Sequence, residues 1–287
     1  MRKMILIFLC LFPIGIHAQQ NDSIDLCRFV VVYDFITNTS DRDGLQVRDS
    51  VQLAVLVGDR MSKCIEFNRA MMEDFGEWRN KQYQFGEWEA RKSNMSVIYS
   101  NYPEGMLTSF DKVVPQRYLI TENLPNLHWT LSQDTASIDG FLCRKALGEY
   151  AGRKWMAWYA EEIPSSAGPW KLQGLPGMIL KAEDTEGIFL FRFCGLQNKQ
   201  CAINYMNEKK YVRLDPRKFI KFRNSTLCSK RYVQNPRYYI PDGSLEDAIE
   251  MWADGPEPPA EAKQTVIATD MIVPKKVNIY QPLEKKW

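Results

Sequence analysis

Few side chains in this sequence are equipped for catalysis, and histidine is the scarcest. Of 287 residues only His17 and His128 carry an imidazole. His17 falls in an N-terminal segment with the features of an export signal, so the processed chain keeps one, in Leu124-Pro125-Asn126-Leu127-His128-Trp129. Zinc hydrolases built on two or three histidines, HExxH proteases and 2-His-1-carboxylate iron sites all need more than that. A Ser-His-Asp or Cys-His arrangement would have to use His128, and no G-x-S-x-G elbow accompanies it. The plainer expectation for His128 is a structural imidazole.

Cysteine is the other candidate nucleophile. Cys27, Cys64, Cys143, Cys194, Cys201 and Cys228 remain after processing, and an even number in an exported chain is compatible with up to three disulfides. Gly195, Gln197 and Asn198 between Cys194 and Cys201 predict a turn that would bring those two together. There is no CxxC, hence no thioredoxin-like site and no paired-thiolate zinc site. Carboxylates give no better lead. Glu161-Glu162 and Glu183-Asp184 are chain neighbours that a strand would send to opposite faces, so solvation at strand ends is expected of them rather than a glycosidase pair. P-loop and G-x-G-x-x-G patterns are absent, and Asp41-Arg42-Asp43-Gly44 lacks the distal Glu of a calcium loop. No catalytic residue, cofactor site or metal site is therefore assigned from the sequence.

The remaining features concern where the chain goes and what it folds into. Arg2 and Lys3 precede an apolar run over residues 4–16, and Ala18 offers a small residue for cleavage. The run is shorter than the roughly 20 residues of a membrane helix and leads straight into Gln19, Gln20, Asn21 and Asp22. Cys10 follows Phe8 and Leu9 rather than small residues, which argues against lipid attachment. The expectation is a signal peptide over residues 1–18, no membrane span once it is removed, and export to the periplasm or the periplasmic side of the outer membrane. Loss of Arg2 and Lys3 takes the basic residues from 37 to 35, equal to the 35 acidic ones. A neutral chain without a long basic run is not expected to bind nucleic acid.

With 45% hydrophobic, 12% aromatic and 25% charged residues the chain has ample material for a core. Its apolar residues recur at a spacing of two. Phe29, Val31, Tyr33 and Phe35 would share a face, as would Val51, Leu53, Val55 and Val57, then Met95, Val97 and Tyr99, then Trp155, Ala157 and Tyr159. Phe189, Phe191 and Phe193 would line one side of a strand with Arg192 on the other. Helices are few: Asp215-Pro216 opens one over residues 217–223, and Ser244 with Asp247 opens another over residues 244–252. Phe75-Gly76-Glu77-Trp78 and Phe85-Gly86-Glu87-Trp88 are too short to make a repeat architecture. Gly255-Pro256-Glu257-Pro258-Pro259 predicts an exposed loop before a final extended segment over residues 265–280. The fold class expected is mainly β (α+β), a many-stranded, antiparallel, curved sheet with a few short helices.

The most distinctive stretch is Gly168-Pro169-Trp170-Lys171-Leu172-Gln173-Gly174-Leu175-Pro176-Gly177-Met178-Ile179-Leu180. Pro176-Gly177 suits the centre of a type II turn, and a corner that buries Trp170 and Leu175 is the expected role. This stretch resembles the GLPGLI family of exported Bacteroidota proteins, whose motif stands here as residues 174–179 with Met178 in place of Leu. The resemblance extends to Ile138-Asp139-Gly140-Phe141-Leu142-Cys143, to Gly152-Arg153-Lys154-Trp155 and to Ile163-Pro164, in family order. It implies one GLPGLI-type β-rich domain over residues 19–287, with an extended Pro-containing C-terminal segment, and an envelope location. Because the family's function is uncharacterised, it brings no site residues.

Two classes of function follow. The first is a non-enzymatic binding or interaction protein of the cell envelope, taking an apolar ligand or an envelope protein partner on an aromatic sheet face, as half-barrel lipoprotein carriers do. Trp158, Phe189 and Phe191 are its test residues. An accessory to an outer-membrane receptor is a variant of that reading. The second class is a cysteine-dependent enzyme using a free Cys with His128 as base. Oligomeric state is not specified by the sequence.

Overall fold

A computed structural model describes residues 23–40, 46–67, 70, 95–113, 116–227 and 283–285. The expected export segment, the acidic run 41–44, both Phe-Gly-Glu-Trp copies, Cys228, the helix expected at 244–252, the Pro-rich run and the segment 265–280 lie outside them. Among the described residues thirteen strands join in one sheet. They are β1 (Ser23–Ser40), β2 (Gln46–Gly58), β3 (Ser62–Glu66), β4 (Val97–Ser100), β5 (Met106–Val113), β6 (Gln116–Asn123) and β7 (Thr130–Ile138). There follow β8 (Phe141–Tyr150), β9 (Arg153–Ala160), β10 (Met178–Asp184), β11 (Phe189–Gln197), β12 (Cys201–Asn204) and β13 (Val212–Arg213). The order is β13-β6-β5-β4-β3-β2-β1-β11-β10-β9-β8-β7, with β12 also on β1. Every pairing is antiparallel except β13 with β6. The mainly β, antiparallel expectation therefore holds.

Cross-strand partners share a face, so the register carries the face assignment from strand to strand. Val51 stands opposite Phe35, Phe35 opposite Phe191, Phe191 opposite Ala182 and Ala182 opposite Ala157. That face is the larger core, where Val31, Tyr33, Leu53, Val55, Trp155, Tyr159, Phe189 and Phe193 are buried. Phe35 stacks on Phe191 with centroids 4.7 Å apart. The loop between β9 and β10 closes over it, contributing Ile163, Trp170, Leu172 and Leu175. The alternations read from the sequence land on these positions. Met95, Val97 and Tyr99 do not share a face, since Met95 precedes β4 and packs on this core while the other two belong to the next.

Among the described residues the opposite face is buried only at one end. Val30, Val32, Ala54, Leu56, Ile65, Tyr99 and Phe110 form a second core with Ile203 of β12. Across β8 to β11 that face instead carries Trp158, Lys181 and Arg192, with Lys181 paired to Glu183 at 3.0 Å and Arg192 to Asp34 at 2.6 Å. The binding-face expectation is corrected here. Phe189 and Phe191 are core residues, and Trp158 is half-buried beneath the Lys145 ammonium, 5.9 Å from its ring centroid.

Asp215 caps helix α1 (Pro216–Leu227), its carboxylate accepting from the Lys218 N–H at 3.1 Å. The helix runs past the expected end at 223 and packs Phe219 and Ile220 on Val113 and Ile120 of β5 and β6. The β7–β8 and β8–β9 hairpins turn through Asp139-Gly140 (φ 47° and 88°) and Ala151-Gly152 (φ 51° and 80°). Two positive φ values in a two-residue loop are the type I′ pattern, whose twist matches the strands.

Candidate functional site

The corner that joins β9 to β10 is pinned by its own backbone: the Gly174 N–H donates to the Ser166 carbonyl at 2.8 Å and the Met178 N–H to that of Ile163 at 3.1 Å. Trp170 and Leu175 point into the core as expected. The glycine roles differ from the expectation. Gly177 does not take the positive φ of a type II turn. It is a glycine because a Cβ there would lie 2.3 Å from the Ala160 carbonyl oxygen at the end of β9. Gly174 takes the left-handed conformation instead, at φ 90°, and Gly168 needs its small size against the Leu172 carbonyl.

Residues 125–131 run alongside this corner. Leu127 enters the core, His128 turns outward at φ 45°, and Trp129 lies against Gly148 of β8, where a Cβ would fall 2.6 Å from the indole ring. The Trp129 Nε1–H donates to the Gln173 carbonyl at 2.8 Å and ties the two segments together. Between them lies an open cleft of about 210 Å³, lined by His128, Trp129, Leu131, Gly174, Leu175 and Pro176 among others. The structure thus brings together His128 and the glycine-rich motif, two features that stood apart in the sequence.

Behind the corner lies a group of buried charges. Lys171 sits at 2.7 Å from Glu122 of β6 and 2.5 Å from Glu284, and Arg223 of α1 reaches Glu284 at 2.7 Å and Asp111 of β5 at 3.3 Å. Burial works against the Lys171 charge, but Glu284, Tyr150 and Glu122 outweigh it and hold the ammonium well above the usual lysine range. Burial raises Glu122 despite Lys171 and raises Asp111 despite Arg223. It acts on Glu284 too, but there Lys171 and Arg223 together prevail and keep the carboxyl below its usual range. Sequence reasoning did not find this group, whose members come from five separate segments. The one available signal was Lys171 itself, a lone charge in an otherwise apolar motif.

The remaining candidates stay apart. Among the described residues no cysteine lines the His128 cleft. Cys64 is buried on β3 with the Trp170 N–H donating to its sulfur at 3.3 Å, and burial pushes its thiol up to about 12. Burial pushes Cys143 up to about 11 and raises Cys194 as well. In each case the thiolate that a nucleophile needs is disfavoured. The expected Cys194–Cys201 pairing is not made: Cys194 is a free thiol on β11, donating to the Arg192 carbonyl, while Cys201 on β12 stands opposite Cys27 of β1. Glu161 and Glu162 are solvated, holding Arg144 and the Leu142 N–H. Asp184 departs from that expectation, being buried against Arg153 at 2.7 Å and accepting two backbone N–H groups at 2.8 Å. Among the described residues no cluster of three or more His, Cys, Asp and Glu side chains is placed to hold a metal ion.

Residues 151–181, which span β9, the corner and the start of β10, match the model of a family described as a protein of unknown function, Porph_ging. No curated protein matches the chain. Among solved structures, one crystal form of PNGF-II is similar at 11% identity and a TM-score of 0.45, over 69% of this chain and 33% of that one. A second form gives 12% and 0.39, over 64% and 31%. The chain therefore spans about a third of the length of PNGF-II. A LolA superfamily protein from Nitrosomonas europaea gives 13% and 0.24, over 67% and 91%. No helix among the described residues is long and apolar enough to cross a membrane.

Proposed function

We propose that this is an exported, non-enzymatic binding protein of the cell envelope that recognises an extended segment of a protein partner along the outer edge of β7. The observation that carries this reading is the state of that edge. β7 closes the sheet order after β8, and its nine residues are all exposed or half-buried. It contains neither Lys nor Pro, two residues that commonly guard an edge strand; its one charge, Asp134, is paired with Lys145 of β8, and the ladder is regular over Thr135–Ile138, beyond an irregularity between Leu131 and Thr135. Its first residue adjoins the cleft, so a strand added to β7 would satisfy its backbone groups on the edge and place a side chain beside Trp129 and Pro176. Exposed Leu131, Leu142 and Leu147 on β7 and β8 offer apolar contact around it.

A protein partner fits better than an apolar small ligand, because the aromatic face is filled by the chain's own corner. Photocrosslinking tests the reading. A benzophenone side chain at Ser132 of β7 is expected to give a discrete adduct in the intact envelope, and one at Arg192 on the outer face of β11 none. Equal labelling from both positions, or none from Ser132, would overturn it.

A further inference from the structure

The strand pairings set two of the described cysteines directly opposite each other. Cys27 of β1 stands in register with Cys201, the first residue of β12. The others are placed differently. Cys64 stands opposite Val55 and Ile98, Cys143 stands opposite Ala136 and Ala160, and Cys194 falls at the irregularity between β1 and β11. Directly opposed residues on paired strands share a face. Consistent with that, Cys27 and Cys201 both pack on the second core, with Val30, Leu56 and Ile203.

Opposed residues of antiparallel strands hold their α-carbons about 4.5–5.5 Å apart, inside the span of roughly 4.4–6.8 Å that a disulfide bridges. Both side chains are thiols in this structure. The buried Cys27 thiol donates to the Phe29 carbonyl on its own strand at 3.2 Å, a contact that rotation about χ1 exchanges for one across the strands. Cys201 is half-buried, so one sulfur of the pair is open to a reagent from solvent. The position also matters to the sheet. β11 covers β1 from Val30 to Thr37, β12 covers it from Ser23 to Cys27, and residues 198–200 join the two. Cys201 is thus the point at which the chain returns to β1 after a break. The ladder that it opens has four residue pairs and an irregularity of its own, between Ser23 and Asp25.

We propose that Cys27 and Cys201 are a disulfide-forming pair whose oxidation clamps β12 to the central strand of the sheet. The oxidant is a disulfide donor, of which oxidised glutathione is the simplest. The Cys201 thiolate attacks one sulfur of the donor and expels the other as a thiolate, leaving a mixed disulfide. The Cys27 thiolate then attacks the Cys201 sulfur, so that the Cys27–Cys201 bond forms and the mixed disulfide breaks. The two protein thiols are oxidised, the donor is reduced to two thiols, and the protons given up by the cysteines end on them. The bond closes a loop over residues 27–201, and the restriction it places on the unfolded chain grows with loop length. Its chemistry does not depend on the β7 edge.

The test uses the full processed chain, reduced and then equilibrated natively with oxidised glutathione at about pH 8, where an ordinary thiol is partly ionised. Remaining thiols are blocked with iodoacetamide, and a non-reducing digest is read by mass spectrometry. The expected product is a peptide pair joined through Cys27 and Cys201. The oxidised protein is expected to melt about 10 °C above the reduced one, with the gain reversed by dithiothreitol and absent from Cys201→Ser. Four outcomes would overturn the proposal: no reaction at either thiol, an adduct that stops as glutathione on Cys201, a bond from Cys201 to a different cysteine, or a Cys27–Cys201 bond that leaves Tm unchanged. If Cys201→Ser does not fold, the mapped bond and its reversal by dithiothreitol in the unaltered chain decide the matter.

Discussion

At one end of the sheet β6 is flanked by the short parallel strand β13 and backed by helix α1, which buries Phe219 and Ile220 against β5 and β6. At the other end β7 meets nothing on its outer side among the described residues and exposes a leucine there. The same contrast runs through the faces, since among the described residues the strands near β2 to β5 are packed on both sides and those near β8 to β10 on one. Strand ends and faces left open in this way carry little of the stability, so they are where recognition is affordable. The covered regions, by comparison, tolerate little change.

The comparison breaks most visibly if a core position behaves like an edge position. Phe191→Ala, in the stack between Phe35 and Trp155, is expected to cost about 3–5 kcal/mol. Lys171→Met, which leaves Glu122 and Glu284 without their shared cation, is expected to cost a similar amount, about 3–5 kcal/mol. Denaturant midpoints at constant m-value check both. A smaller effect separates two glycines of one motif. Gly177→Ala forces the backbone away from Ala160 and is expected to cost about 2–3 kcal/mol. Gly174→Ala, whose Cβ would meet nothing but whose φ is left-handed, is expected to cost about 1 kcal/mol.

Titration sharpens the contrast further. Glu284 is held below its ordinary 4.5, so its contribution is complete above pH 4.5 and lost as pH falls through the depressed value. Glu122 and Asp111 are raised and work in the opposite sense: what they contribute is present below their unfolded values and is lost as pH rises through the folded ones. Glu284→Gln is therefore expected to flatten the acid limb of stability against pH, read by thermal melts between pH 3 and 6. The smallest expected effect is at the open edge. Gln133→Lys on β7 should leave stability within about 0.5 kcal/mol while abolishing the Ser132 crosslink.

Much of the sheet was legible because its signal is local. Val31, Tyr33 and Phe35 alternate with residues of the other face, and alternation survives folding. The Asp139-Gly140 turn is equally local, since few dipeptides take two positive φ values easily, yet it was not among the expectations. What was not legible depends on approach between distant segments. Nothing around Gly177 announces Ala160, and nothing near Glu122 announces Glu284. The type II turn was misread for that reason: Pro-Gly has a local meaning, and the close approach of β9 overrode it. Phe189 and Phe191 illustrate the same limit, because an aromatic face looks alike in sequence whether solvent or a loop such as residues 163–175 covers it.

Strand β1 has a consequence for how the molecule is assembled. It is the central strand and lies early in the chain, and its Tyr33 hydroxyl donates to the Ile179 carbonyl 146 residues later. The β1–β2 hairpin is local and can close early, but the other side of β1 stays open until β11 arrives. Closing so long a loop is entropically slow. During that interval β1, whose residues 30–33 are all buried in the finished sheet, presents a bare edge open to aberrant pairing.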